Sequence, residues 1–230
     1  MAFAGFPADF FAFFRELKAN NNRPWFEANK QRYRDAVQAP MAEFILAMQP
    51  RLAKVSKQFT ADPRPNGGSM FRIYRDVRFA RDKRPYKEHA ACHFHHVSGK
   101  DVHAPGFYMH FGDDRVYFGG GMYMPDPPAL AKIRDAIVAR PSAWKAVKTG
   151  KAFVKTFGEL GGDRVLSRAP RGYDPGHPLI DDIKRKSFFA MHEADLKLAR
   201  SARLPDAVAE TFKAATPLMK FLCAAQGARF

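Results

Sequence analysis

The densest polar chemistry in the chain lies at 72–87, where Arg72, Arg75, Asp76, Arg78, Arg81, Asp82, Lys83, Arg84, Tyr86 and Lys87 fall within sixteen residues. A guanidinium is a planar fork that binds carboxylate or phosphate through two parallel hydrogen bonds, a geometry an ammonium cannot copy. In an extended chain Arg72 and Arg75 point to opposite sides, so a bend near Asp76 is needed to bring Arg75 and Arg78 together. Asp76 would then orient one guanidinium through a charge-assisted hydrogen bond, and Asp82 would do the same for Lys83. The chemistry expected is recognition of an anionic small molecule by Arg72, Arg75, Arg78 and Lys83. The same residues admit a plainer role, in which they pair with one another and tie a loop to a sheet.

Other reactive groups are weighed against this segment. His177 sits in a Gly/Pro-ordered stretch after Tyr173 and Asp174. Such a loop histidine suits proton transfer or donation to an anion, and equally suits fastening the loop. Tyr86 is the second candidate proton-handling group. Trp25 offers a flat face for stacking an aromatic ligand, although core packing is the commoner use of such a ring. His89, Cys92, His93, His95 and His96 resemble metal ligands, but a strand divides them between two faces and no His-Glu-x-x-His motif is present, so no metal is expected. His110 is expected to be a half-exposed strand residue. Gly119-Gly120-Gly121 lacks the Lys-Ser/Thr of a phosphate-binding P-loop and is expected to be a bulge or tight turn. No Gly-x-Ser-x-Gly elbow occurs, and no motif names a cofactor.

The charge balance agrees with an anionic partner. The 230 residues carry 38 Lys+Arg and 23 Asp+Glu, a net +15. Residues 51–100 hold twelve Lys/Arg against four Asp/Glu, a surplus of +8 where an even spread gives about +3. This excess raises nucleic acid as a competing partner, with the same cations on phosphates and exposed aromatics on bases. No apolar run reaches the roughly 18 residues of a membrane helix, and the first residues lack the basic start of a signal peptide. Two cysteines, Cys92 and Cys223, are expected as free thiols. A cytoplasmic location, away from membranes, is the expectation.

The elements that must position these residues are legible from periodicity. Phe10, Phe13, Phe14 and Leu17 form one helical stripe, and Met41, Phe44, Ile45, Met48, Leu52 and Val55 another. Between them, Asn20-Asn21-Asn22-Arg23-Pro24 breaks the chain before a helix over 25–37. Alternation at 70–74 predicts a half-buried strand with Phe71 and Ile73 on one side and Met70, Arg72 and Tyr74 on the other. Strands are predicted at 91–98, 106–112, 115–121 and 188–192, the second and third joined by a tight Gly112-Asp113-Asp114 connection that favours antiparallel pairing. Helices are predicted after Pro127-Pro128, from Pro141, near 179–186 and from about 194, with Pro217 kinking or dividing the last. Residues 161–178 read as irregular. The fold class is α+β, a single domain with a central antiparallel sheet flanked by N-terminal and C-terminal helices.

The 72–87 segment also resembles a bacterial family catalogued as domain of unknown function 2461. Its signature, Arg-x-x-Arg-Asp-x-Arg-Phe followed by Asp/Asn-Lys-x-x-Tyr, is matched by Arg72, Arg75, Asp76, Arg78, Phe79, Asp82, Lys83 and Tyr86. The segments 20–27 and 170–178, the latter followed by Lys184 and Lys186, resemble the family's N-terminal and C-terminal regions. The resemblance implies that these residues form a site spanning one domain, and it implies no reaction.

Overall fold

The phenylalanine stripe becomes helix α1 (Ala8–Ala19) in the computed structural model, which describes residues 3–99, 104–162 and 165–230. Phe10, Phe13, Phe14 and Leu17 are all buried there. The asparagine run that follows does three separate jobs. Asn20 ends α1 by donating its amide to the Glu16 carbonyl, and Asn22 caps α2 (Arg23–Ala28) by accepting from the Trp25 amide at 3.0 Å. Asn21 reaches elsewhere, as described below. The helix expected over 25–37 is broken into α2, α3 (Lys30–Tyr33) and a π-helical segment, Arg34–Gln38. Pro40 cannot supply the amide proton that an α-type bond to Ala36 needs, so the ladder widens before α4 (Ala39–Val55) begins. Met41, Phe44, Ile45, Met48 and Leu52 bury one face of α4.

Four strands, β1 (His89–His95), β2 (Gly106–Gly112), β3 (Val116–Met122) and β4 (Phe188–Ala194), pair antiparallel in the order β1-β2-β3-β4. In register, Cys92 faces Met109 and Met109 faces Phe118, while Phe94 faces Phe107 and Phe107 faces Gly120. These residues belong to one face, which packs against α4 and the long α10 (Leu204–Ala225). Gly120 lets α10 approach β3 closely. A Cβ there would come within 2.8 Å of the Phe107 ring and 3.0 Å of the Met219 sulfur. Phe212 of α10 stacks on Phe107 at 4.2 Å. Burying one such ring stabilises the fold by roughly 2–3 kcal/mol.

Between β3 and β4 the chain forms α5 (Pro127–Ala139), α6 (Pro141–Thr149), α7 (Lys151–Phe157) and α8 (Ile180–Ile183), and α9 (Leu196–Ala199) precedes α10. Ile133, Ile137, Trp144, Phe153 and Ile183 build a second apolar cluster that α10 completes with Leu218, Phe221 and Leu222. The architecture is α+β, with an antiparallel sheet and helices at both ends of the chain. Residues 163–164, inside the stretch expected to be irregular, lie outside the described residues.

Two expectations are corrected, and a third in part. Residues 70–74 make no continuous strand. Ser69 and Phe71 bond to the edge of β1, after which the chain leaves the sheet and pairs with 85–87, so Met70 and Ile73 are buried in place of an alternating set. Gly119–Gly121 is neither bulge nor turn, because it lies inside β3 and is paired on both sides. Of the kink or division expected at Pro217, division is excluded, because the last helix runs through it. Among the described residues, no helix is long and apolar enough to cross a membrane.

Candidate functional site

The signature segment is a loop closed on itself. A short ladder at its base joins 73–75 to 85–87, through Arg75 N–H donating to the Pro85 carbonyl at 2.9 Å and Lys87 N–H donating to the Ile73 carbonyl at 2.7 Å. Asp82 accepts from Arg75 at 2.9 Å and from Arg84 at 2.7 Å. Asp76 accepts from Arg78 at 2.7 Å and from its amide at 3.2 Å. The Arg84 and Arg78 guanidinium groups hold Asp82 and Asp76 respectively well below the usual carboxylate range. Lys83 does not pair with Asp82 as expected. Its ammonium donates to the Val77 and Arg78 carbonyls at 3.0 and 3.3 Å, tightening the turn from within.

The base of the loop is clamped to the N-terminal helices. Tyr86 N–H donates to Asn21 Oδ1 at 3.1 Å, and Asn21 Nδ2 donates to the Tyr86 carbonyl at 3.1 Å and to Glu88 at 3.0 Å. The Tyr86 ring is buried and stacked on Phe26 with centroids 4.2 Å apart. Burial pushes its phenol pKa up. Trp25 packs against Phe13 at 5.6 Å as part of the first apolar cluster. Two segments far apart in sequence, 20–27 and 84–88, therefore meet through side-chain amide and ring contacts.

The nominated cations do not converge on one cavity. Arg75 and Arg78 are held by aspartates, and Arg78 is 77% exposed at the loop's outer side, next to a Phe79 that is 96% exposed. Arg72 behaves differently. It lines a cleft of about 340 Å³ together with Lys30 and Arg34, with Tyr33, Gln38, Asn66 and Tyr74 completing the polar part of the wall. Among the described residues, no carboxylate lines this cleft. Lys30 also reaches Glu27 at 3.0 Å across the helix surface, and Arg34 makes only a long contact to Gln31 at 3.5 Å. Arg72 has no carboxylate partner among the described residues, and its carbonyl accepts from Lys87 at 2.7 Å. The π-helical turn is what directs Arg34 and Gln38 toward this cleft, and sequence periodicity gave no sign of it. Lys30 and Arg34 were missed because an amphipathic helix offers such cations to solvent by default.

His177 lies elsewhere, just before α8. Its Nδ1 accepts from the Leu179 amide at 3.1 Å and its own amide donates to the Asp174 carbonyl, so the ring fastens the loop. Tyr173 ties the same loop to α5 by donating to Asp135 at 2.8 Å. No hydrogen bond among the described residues joins His177 to the 72–87 segment.

A second cleft, of about 440 Å³, lies on the face of the sheet opposite α10. Phe71 lines both clefts. Along this face, His89 stacks on His110 at 4.0 Å and His110 on Tyr117 at 4.4 Å. His110 is buried, contrary to expectation, because rings cover it from both neighbouring strands. Burial lowers the imidazole pKa of His89 to about 4 and of His110 to about 3, so both rings are neutral at pH 7. Cys92 and Cys223 are buried, unbridged thiols, both with pKa pushed up by burial, which argues against a nucleophilic role.

A meander sheet backed by helices, with a self-paired arginine loop at its edge, defines an α+β scaffold whose clefts lie beside that loop. Residues 9–221 match the family model described as conserved hypothetical protein, DUF2461, and the chain belongs to that family. No curated protein and no solved structure matches it.

Proposed function

We propose that the protein binds an anionic small molecule, bearing phosphate or carboxylate, in the cleft between the π-helical turn and Arg72. The observation that carries this reading is that Lys30, Arg34 and Arg72, from two separate segments, line one cleft without a carboxylate. Lys30 is paired with Glu27, but Arg34 and Arg72 have no carboxylate partner among the described residues, and an anion between them relieves their mutual repulsion. Arg34 and Arg72 supply planar donors for the anion, and Tyr74, half exposed at the rim, supplies a hydroxyl. In this reading Arg75, Asp76, Arg78, Asp82 and Lys83 brace the loop that carries Arg72, and Tyr86 anchors it.

The test is thermal shift with inorganic phosphate and a panel of phosphate and carboxylate monoesters. A ligand at about a hundred times its Kd raises stability by roughly 2.7 kcal/mol. Arg34→Ala and Arg72→Ala should keep the unliganded melting temperature and lose that response. An unchanged response in the double variant overturns the reading.

One observation favours nucleic acid as the second reading. Phe79 stands almost fully exposed with the Arg78 guanidinium 5.9 Å from its ring centroid, the pairing a single strand uses for stacking beside a phosphate. Binding to a labelled oligonucleotide should then fall with salt at a log–log slope of about −0.7 per neutralised phosphate, and Phe79→Ala should weaken it. Absence of binding at low salt removes this option.

A further inference from the structure

The larger cleft has two strand glycines in its wall. In the register of the sheet Gly106 faces Gly121, and Gly121 faces Phe189. Glycine inside a strand marks the close approach of something else. Here that is protein on both sides: a Cβ on Gly106 would lie 2.0 Å from His93 Nε2, and one on Gly121 would lie 2.3 Å from the Phe188 carbonyl oxygen and the Phe189 Cα. Beside them is an open slot about 440 Å³ in volume, within the range of small-molecule sites. Its walls are ring and thioether surfaces: Phe71, Tyr108, Tyr117, Tyr123, Phe189 and Met191.

Charge beside two of the wall rings selects among possible occupants. Among the described residues, no carboxylate lines the slot. The Lys87 ammonium lies 5.4 Å from the Phe71 centroid, and the Arg115 guanidinium lies 5.8 Å from the Tyr117 centroid. Lys87 also binds the Arg72 carbonyl, and Phe71 is a wall common to the slot and the neighbouring cleft. A flat apolar ring fits the walls, and an anionic group fits what surrounds them.

We infer that the ligand is an aromatic anion, a planar ring system carrying phosphate or carboxylate, whose ring lies in the Gly106–Gly121 slot while its charge reaches Arg72. This rests on the anion-binding reading above and adds to it the class of the ligand. Tyr108 and Tyr117 stack on or edge the ring, and His93 lies at its margin.

Isothermal titration of the full chain with three probes separates the two ideas: inorganic phosphate, 2-naphthol and 2-naphthyl phosphate. The expected result is that the naphthyl ester binds at least tenfold more tightly than inorganic phosphate, about 1.4 kcal/mol. Met191→Trp, which fills the slot with a ring, should bring the ester down to the level of phosphate and leave phosphate binding unchanged. Tyr123→Ala removes an exposed wall without touching the core and should reduce the gain severalfold. Arg72→Ala should weaken ester and phosphate by the same factor. If phosphate binds and the ester gains nothing, the ring site is wrong and the anion reading stands. If 2-naphthol binds while neither phosphate does, the anion reading fails and the joint ligand fails with it.

Discussion

Lowering the pH from 8 to 5 should destabilise this protein through two imidazoles that face away from the helices. His110 is covered by His89 on one side and Tyr117 on the other, within range of the Tyr108 hydroxyl at 3.4 Å and of Arg115. Burial is the main cause of its low pKa, with the charges of His89 and Arg115 adding to it. A group whose folded pKa lies below its unfolded value loses protons on folding, so stability is complete above the unfolded value near 6.5 and falls as pH drops toward the folded one. At pH 5 an unfolded histidine gains about 2 kcal/mol from protonation, whereas a folded pKa of about 4 or about 3 yields almost none. The cost is therefore about 2 kcal/mol per ring, and up to about 4 kcal/mol for the pair, a result insensitive to the exact folded values. Urea unfolding at pH 8, 7, 6 and 5 measures it, with His110→Phe as the comparison because phenylalanine keeps the stack and cannot titrate. The variant should lose about half of the pH dependence with an unchanged m-value. Parallel curves for wild type and His110→Phe would refute the claim that burial holds this ring neutral.

Three other outcomes follow from the contacts. Asn21→Ala removes three hydrogen bonds that hold both backbone groups of Tyr86 and the Glu88 carboxylate, and should cost about 2–3 kcal/mol in urea unfolding. Asp182→Ala should cost about 1–3 kcal/mol, because its nearly buried carboxylate joins Lys148 at 2.7 Å to Arg185 at 3.5 Å, while Asp181→Ala next to it, with a side chain 96% exposed, should change stability by less than about 0.5 kcal/mol. We propose that the chain unfolds as one domain, since α10 contributes residues to both apolar clusters. Calorimetry should give a single transition with equal calorimetric and van't Hoff enthalpies, and two transitions would divide it.

Periodicity was a good guide wherever one face of an element meets one partner. The stripe at 10–17 is buried in full, the one at 41–55 is buried except for a half-buried Val55, and the hairpin around Gly112-Asp113-Asp114 joins β2 to β3 as its tight spacing requires. Legibility fails where a segment answers to two partners. Residues 69–75 bond first to β1 and then to 85–87, so no single alternation describes them. The helix over 25–37 is interrupted because Asn29 bonds back to Trp25 and Pro40 withholds its amide, local effects that a hydrophobic stripe does not register. His110 looks exposed in sequence because a polar residue alternates with apolar ones, yet ring stacking across strands buries it.

The candidate site was half legible for a related reason. Residue type announces that guanidinium groups are concentrated at 72–87, but it does not say which carboxylates are near, and two aspartates within the same loop take Arg75 and Arg78. Short-range pairing of this kind is decided by loop geometry, since Asp76 and Asp82 each accept from a backbone amide two residues ahead and so lie beside the guanidinium on that residue. Arg72 escapes because it precedes the loop, where the ladder between 73–75 and 85–87 holds its backbone. The arginines of one signature thus separate into those that shape the loop and one that stands just before its base. The partners of that one, Lys30 and Arg34, come from a helix whose composition is ordinary and whose π-turn is not.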